Sequence, residues 1–386
     1  MINNGSNISC YGCGVCATSC PKNAITITLS DEGFWIPIVD KELCINCNIC
    51  DKVCAYNDKL ICSPTNKLTN PKGYAVIHKD ENIVKTATSG GAGFAIAQHL
   101  NSKGYKLVGV KYDNIKNIAT HFVTDSIEEF KTTMNSKYIP SYTVNGFRTL
   151  MDGNKYAVFG TPCQIDSLRR WAKLRKKEEN FVFIDLFCHG VPSYLHWNAY
   201  LNYHLKKDDS IIKPIFRDKR NGWHAYTMSL QTNKRLISNT LQDNDLFQNL
   251  FLGNYTLNRT CYQCKYRGNN SAADIRMGDL WGSKYAHDEK GITGILAFTT
   301  KGIEIINALS DYCTITKETE DVIVAGQIHK DTPVPSTRGQ LLNGFSNKKD
   351  IKTLYYKCAP KMWIKNLIPY RVKCTIKQVI YKLKKK

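Results

Sequence analysis

Eight cysteines crowded between Cys10 and Cys54, a strand–helix–strand run over 155–186 and a basic C-terminal stretch predict the fold class. They read as a small bacterial-ferredoxin-like domain, then an α/β (α+β) body with a partly parallel sheet, then a tail. The 386 residues carry 53 Lys+Arg against 33 Asp+Glu, a formal net charge of +20, and 16 Cys. With 42% apolar and 22% charged residues the chain is a folding one, long enough for two or three domains. The expected divisions are 1–60 for the cysteine-rich domain, 61–72 for a polar linker with two prolines, 73–350 for the body and 351–386 for the tail. No apolar run approaches the roughly 18 residues of a membrane span. The start, Met1-Ile2-Asn3-Asn4-Gly5-Ser6, has neither the basic nor the apolar region of a secretory signal. A reducing cytoplasm is therefore expected, where cysteines bind metal or do redox chemistry.

The head comes first. Cys10, Cys13, Cys16 and Cys20 follow the spacing C-x2-C-x2-C-x3-C, and Cys44, Cys47, Cys50 and Cys54 repeat it. This is the bacterial ferredoxin pattern for [4Fe–4S] clusters. Three thiolates on a tight loop meet three irons of one cube, and the fourth, one short helical turn on, points at the other. Cys10, Cys13, Cys16 and Cys54 are thus assigned to one cluster, and Cys44, Cys47, Cys50 and Cys20 to the second. Zinc ribbons use well-separated C-x2-C pairs, so two triplets with trailing cysteines favour clusters. Ala55, not proline, follows Cys54, whereas Pro21 follows Cys20. Residues 24–28 and 34–39 read as a hairpin between the runs.

In the body, residues 73–78 read as a strand. Thr88-Ser89-Gly90-Gly91-Ala92-Gly93 then opens a helix, with Ser89 as the expected N-cap. Glycines at a helix start suit either a phosphate group or close packing on the strand. Strands at 155–160 and 181–186, joined by a helix from Gln164 to about Leu174, form a βαβ unit and hence a parallel pair. Their carboxyl ends carry Cys163 and Cys188-His189, where open α/β sheets collect ligands. Cys261 and Cys264 add a C-x2-C pair. These four cysteines read either as ligands of one further metal site or, for the two at strand ends, as small buried residues. Cys62, Cys313, Cys358 and Cys374 are isolated and read as structural or incidental.

Several blocks occur together in one order: Thr88–Gly91, Asn135–Tyr138, Phe159–Gln164, Ile184–Ser193, Phe216–Lys219, Gly222-Trp223, Cys261–Tyr266 and Asp274–Gly282. With the head, they resemble the coenzyme F-420 hydrogenase/dehydrogenase beta-subunit family in its form with an N-terminal double-cluster ferredoxin domain. The resemblance implies a flavin-binding body and an FAD-containing oxidoreductase. By it, Ser89, Gly90, Gly91, Ser136, Lys137 and Tyr138 become candidate flavin contacts. Cys163, Cys188, Cys261 and Cys264 become candidate ligands of a third [4Fe–4S] cluster, and His189 a candidate proton donor. The expected function is passage of electrons from ferredoxin or another donor, through the head clusters and FAD, to a small-molecule acceptor. Relatives beside surface-polysaccharide genes extend this to polysaccharide biosynthesis. The alternative is an electron-transfer subunit relaying to a partner enzyme, including oxidoreduction of the deazaflavin coenzyme F-420.

Residues 351–386 hold eleven Lys/Arg and no acid. Val372, Ile376, Val379, Ile380 and Leu383 form one helical stripe, with Lys373, Lys377 and Lys384–Lys386 mostly off it. This suits peripheral contact with an anionic membrane face, or a helix docked on the body with a solvated lysine face. No nucleic-acid-binding motif accompanies the charge, so nucleic acid is not an expected partner.

Overall fold

The chain begins with two cysteine loops that share one backbone solution. The computed structural model describes residues 9–362. Gly12 and Gly14 lie at φ +71°, and Asn46 and Asn48, at the matching places of the second loop, lie at +54° and +57°. Glycine and asparagine are the residues that enter this left-handed region at least cost. Short helices follow, Val15–Ser19 and Ile49–Lys52. Between them β1 (Ile25–Leu29) and β2 (Trp35–Val39) pair antiparallel, Ile25 opposite Val39 and Leu29 opposite Trp35.

The remaining strands build two sheets. Nine strands form the larger: β3 (Lys67–His78), β4 (Lys106–Asp113), β5 (Ile118–Thr124), β6 (Ser141–Tyr142), β7 (Tyr156–Gly160), β8 (Phe181–Leu186), β12 (Ile275–Asp279), β13 (Thr293–Thr299) and β14 (Cys313–Glu318). The spatial order is β14-β3-β13-β12-β8-β7-β4-β5-β6. β12, β8, β7 and β4 run parallel, and so do β5 and β6; the other pairings are antiparallel. A mixed α/β body with a partly parallel sheet thus follows the ferredoxin-like head. The other sheet has three strands, β9 (Ile211–Asp218), β10 (Thr227–Thr232) and β11 (Leu236–Asn239). β8 is central because Phe181-Val182-Phe183-Ile184 is apolar on both faces, and all four are buried.

The expected linker differs from what is seen. Residues 67–72 are the first half of β3, with Lys67 opposite Thr299 and Lys72 opposite Ala297. Pro71 hid this strand, since proline cannot donate to a ladder. A register shift between Ala297 and Thr299 accommodates it.

Helices cover both faces. Ala92–Ser102 and Thr300–Asn307 bury Phe94, Ile96, Ile305 and Ile306 on one side. Pro162–Leu174 buries Ile165, Leu168 and Trp171 on the other, where Val15 and Val53 of the head join the same core. Helix Ile351–Cys358, at the start of the expected tail, buries Ile351, Leu354, Tyr355 and Cys358 against the core around the three-stranded sheet. The amphipathic stripe from Val372 to Leu383 lies outside the described residues, as does Cys374. No helix among the described residues is long and apolar enough to cross a membrane.

Head and body meet through a polar clamp. Buried Arg338 donates through both Nη atoms to the Glu32 carboxylate, at 3.0 and 2.7 Å, and through Nε to Leu257 O. Arg259 reaches the same carboxylate at 3.1 Å. Burial pushes the Glu32 carboxyl up, but the bonds and charge of Arg338 and Arg259 outweigh it and hold the group below its ordinary value. A depressed carboxylate contributes stability above its unfolded pKa, and that stability is lost as pH falls through the folded one. The clamp should therefore weaken below about pH 4. Glu32→Gln is expected to lower the melting temperature at neutral pH and to flatten its fall on acidification, read by circular dichroism. A variant with the wild-type acid slope would show that Glu32 does not clamp the head.

Candidate functional site

Twelve cysteines gather in three sets. In the first, the sulfurs of Cys10, Cys13, Cys16 and Cys54 lie within electrostatic reach of one another. Burial, then neighbouring sulfurs, push Cys10 up to about 12. Gly12 N donates to Cys10 Sγ at 3.2 Å, and Cys13 Sγ lies 3.2 Å from Ser167 Oγ. Thr143 Oγ1 donates to Cys13 O, and a Cβ at Gly14 would stand 2.1 Å from that hydroxyl, so only glycine allows this approach. In the second set, Cys20, Cys44, Cys47 and Cys50 line one small cavity with Ile25 and Val39, and Cys47 is exposed. Ala24 N donates to Cys20 Sγ at 3.3 Å. The structure brings together the same two groups of four that the spacing assigns.

The third set comes from loops at the carboxyl ends of parallel strands. Cys163 sits in the first turn of helix Pro162–Leu174, directly after β7. Proline at the first helical position and a bond from Thr161 N to Gln164 Oε1 organise that turn. Cys188 follows β8. Cys261 and Cys264 come from helix Arg259–Tyr262 and the turn behind it. Cys163 senses Cys188 and Cys264, and Cys261 senses the same two. Cys163 also senses Cys13 of the first set. Thiols raised by neighbouring sulfurs, as Cys163, Cys188 and Cys261 are, form an unfavourable grouping unless positive charge neutralises them, which is what the irons of a cluster held by four thiolates do. Among the described residues, no three His, Cys, Asp or Glu side chains close around a single metal ion.

All four face a cavity of about 460 Å³, within the range of coenzyme sites. Its walls include Phe94, Phe130, Phe159, Phe187, Tyr226 and Trp281. His189 lines it too, packed 4.9 Å from Phe251, and its buried Nε2 has no hydrogen-bond partner. Such an orphaned polar atom on a cavity wall is a place for a ligand.

The loops are pinned by buried charge. Arg276, on β12, donates through Nε and Nη2 to the Asp185 carboxylate on β8, at 2.8 and 2.7 Å. Its Nη1 donates to Tyr266 O and Gly268 O, and Ser271 Oγ donates to Asp185. Both partners are fully buried. One ion pair thus ties the strand leading to Cys188 to the turn that follows Cys264.

Of the expected flavin contacts, Ser89, Gly91, Ser136, Lys137 and Tyr138 line the same cavity and Gly90 does not, and their roles differ from those the sequence showed. Gly91, not Ser89, is the N-cap, at φ +83°; Ser89 Oγ donates to Ile292 O instead. Gly90 donates to Thr293 Oγ1, and a Cβ there would stand 2.3 Å from Val76 O, so that glycine serves close packing. Ser136 N donates to Thr88 Oγ1. Lys137 Nζ reaches the carbonyl oxygens of Thr132, Thr133, Met134 and Asn135, and burial pulls it down to about 7. Tyr138 stacks on Phe251 at 5.1 Å.

Other residues at the cavity escaped the sequence reading. Arg217 pairs with Asp279 at 2.6 Å and lies 4.1 Å over the Tyr226 ring. Tyr226 is held at φ +48°, a strained conformation for a bulky residue that tends to mark functional sites. Arg217 and Asp279 stood in recognised blocks, so the signal was present; their mutual contact was not.

Residues 153–322 match the family model for the C-terminal part of the beta subunit of coenzyme F420 hydrogenase/dehydrogenase, and residues 9–57 match the 4Fe-4S dicluster domain. No curated protein matches the chain. A chain from the solved structure of the F420-reducing [NiFe] hydrogenase complex of Methanosarcina barkeri is 17% identical. That match covers 75% of this chain and 91% of that one, with a TM-score of 0.47.

Removing one partner of a buried pair leaves the other charge unpaired, at about 3–5 kcal/mol. Arg276→Met should therefore lower the urea midpoint strongly. Arg220→Met, whose partner Asp218 is its neighbour two residues away, should leave it nearly unchanged. Equal midpoints for the two variants would show that the Asp185–Arg276 pair does not hold this region.

Proposed function

Because residues 153–322 match the coenzyme F420 hydrogenase/dehydrogenase beta-subunit model and residues 9–57 the 4Fe–4S dicluster domain, we propose that the chain is an electron-transfer subunit. In this reading it connects the head to a flavin-type coenzyme, FAD or a deazaflavin, in the cavity and relays electrons to a partner enzyme. One observation supports it above the rest. Cys163 stands within electrostatic reach of Cys13 in the head, and of Cys188 and Cys264 on the cavity wall. When bound, [4Fe–4S] clusters exchange single electrons.

The chain's own residues have separable tasks. Cys10, Cys13, Cys16 and Cys54 would hold one head cluster, and Cys20, Cys44, Cys47 and Cys50 the other. Cys163, Cys188, Cys261 and Cys264 would hold a third. Hydrogen bonds donated by Gly12 N and Ala24 N to the Cys10 and Cys20 sulfurs would favour the more negative, reduced state of a bound cluster. For the coenzyme, the start of helix Ala92–Ser102 and the Ser136–Tyr138 segment would bind, together with Arg217, whose Nη1 lies 3.4 Å from the Tyr138 hydroxyl. The aromatic walls exclude water and favour a planar ring. His189 Nε2 is the candidate to exchange a proton with it. Ser89, Gly90 and Lys137 act in this scheme by shaping the backbone around the cavity. The match of residues 153–322 to the hydrogenase/dehydrogenase beta-subunit model supports the relay over a reductase of polysaccharide biosynthesis.

Anaerobically reconstituted protein should contain iron and sulfide for three [4Fe–4S] clusters. Cys163→Ser should lose about four iron atoms while the head clusters keep their absorbance. Denaturation should release a compound with flavin or deazaflavin absorbance from protein purified with its coenzyme. Iron for the head alone, unchanged by Cys163→Ser, would overturn the third cluster. A colourless extract would overturn the coenzyme.

A further inference from the structure

The two cysteine loops of the head are built alike, and they differ at one informative place. Each has a cysteine, a spacer, a left-handed residue and a second cysteine: Cys10-Tyr11-Gly12-Cys13 and Cys44-Ile45-Asn46-Cys47. The spacer of the second loop, Ile45, is 56% exposed. The spacer of the first, Tyr11, is turned into the body and lines the cavity. Its phenol is within electrostatic reach of Cys264, Cys163 and Cys261. Its ring packs edge-on against Tyr56 at 5.5 Å and tilted against Tyr266 at 5.8 Å. Tyr56 lies two residues after Cys54, the last ligand of the first set, and Tyr266 two residues after Cys264, of the third. Tyr266 is itself fixed, donating to Asp166 Oδ2 at 2.6 Å. Asp166 is held in turn by Arg170 Nε at 2.8 Å.

One aromatic side chain therefore begins between two ligands of the first set, is gripped from both sides, and ends among the sulfurs of the third. Electron coupling falls off less steeply through packed atoms than through a gap. A truncated side chain here leaves a void or admits water between the two sets.

We propose that Tyr11 is a positioning residue for electron transfer between the first head cluster and the body cluster. Its ring fills the path between them. The step moves one electron: the head cluster is oxidised by one, the body cluster is reduced by one, and no bond or proton changes place. The inference rests on the three-cluster reading. It assigns to the ring, and not to the hydroxyl, the part that matters.

Wild type, Tyr11→Phe and Tyr11→Leu, each reconstituted as the full chain, are mixed with reduced methyl viologen. Freeze-quenched samples are followed by paramagnetic resonance. Tyr11→Phe should match wild type. Tyr11→Leu should keep its iron content, its midpoint potentials and the rate of head reduction. Its body cluster should be reduced roughly tenfold more slowly. If Tyr11→Leu loses iron, Tyr11→Met takes its place in the comparison. Body-cluster reduction at the wild-type rate in the variant lacking the ring would overturn the inference. Wild-type protein with iron for only two clusters would overturn the reading beneath it instead.

Discussion

The buried pair of Asp185 and Arg276 is the constraint around which the site is arranged. Taking two charges out of water costs several kcal/mol for each ion, and only good geometry with further hydrogen bonds offsets it. Here the guanidinium meets the carboxylate through two nitrogens and directs its remaining donors to two backbone carbonyls. Those carbonyls belong to the turn behind Cys264, and the carboxylate stands three residues before Cys188. A stretched or broken pair would leave an unpaired ion in the core, so the two loops are held in one relative position.

A second, weaker set of contacts fixes the head on this platform. Asn258 Nδ2 donates to Cys10 O, Thr143 Oγ1 to Cys13 O, and Lys265 Nζ to the carbonyls of Ala55, Asp58 and Leu60. Asn258 and Lys265 flank the body cysteines Cys261 and Cys264. The residues that carry the third set therefore also seat the head, and neither position can change without the other. This is the physical sense in which a small cysteine-rich domain and a large sheet make one continuous site.

Much of this was legible in the residues, and the remainder has identifiable reasons. The C-x2-C-x2-C-x3-C runs led to the two head groupings because the ligand geometry of a cube is local, set over a few residues. The parallel pairing of β7 and β8 was legible because two strands joined by one helix form a βαβ crossover, which sets its strands parallel. The first half of β3 was missed because its polar residues and Pro71 lie where a neighbouring strand bends to receive them. Ser89 was taken for the cap because its side chain suits one; tertiary contact with Ile292 claimed the hydroxyl. Lys137 became a candidate flavin contact through the resemblance, yet a turn of four carbonyls surrounds its ammonium.

The order of residues along the chain was enough for the fold class, the resemblance that the family model over residues 153–322 repeats, the two head cysteine sets and the identity of the residues at the ends of β7 and β8. These depend on spacing and periodicity, which are properties of neighbouring residues. That Cys163, Cys188, Cys261 and Cys264 face one cavity, and that Tyr11 and not Ile45 turns into the body, emerged only once the segments were packed together. Packing alone joined Arg276 to Asp185 across 91 residues of chain. Such contacts arise between distant segments, where burial and charge pairing, and not local propensity, set the free energy.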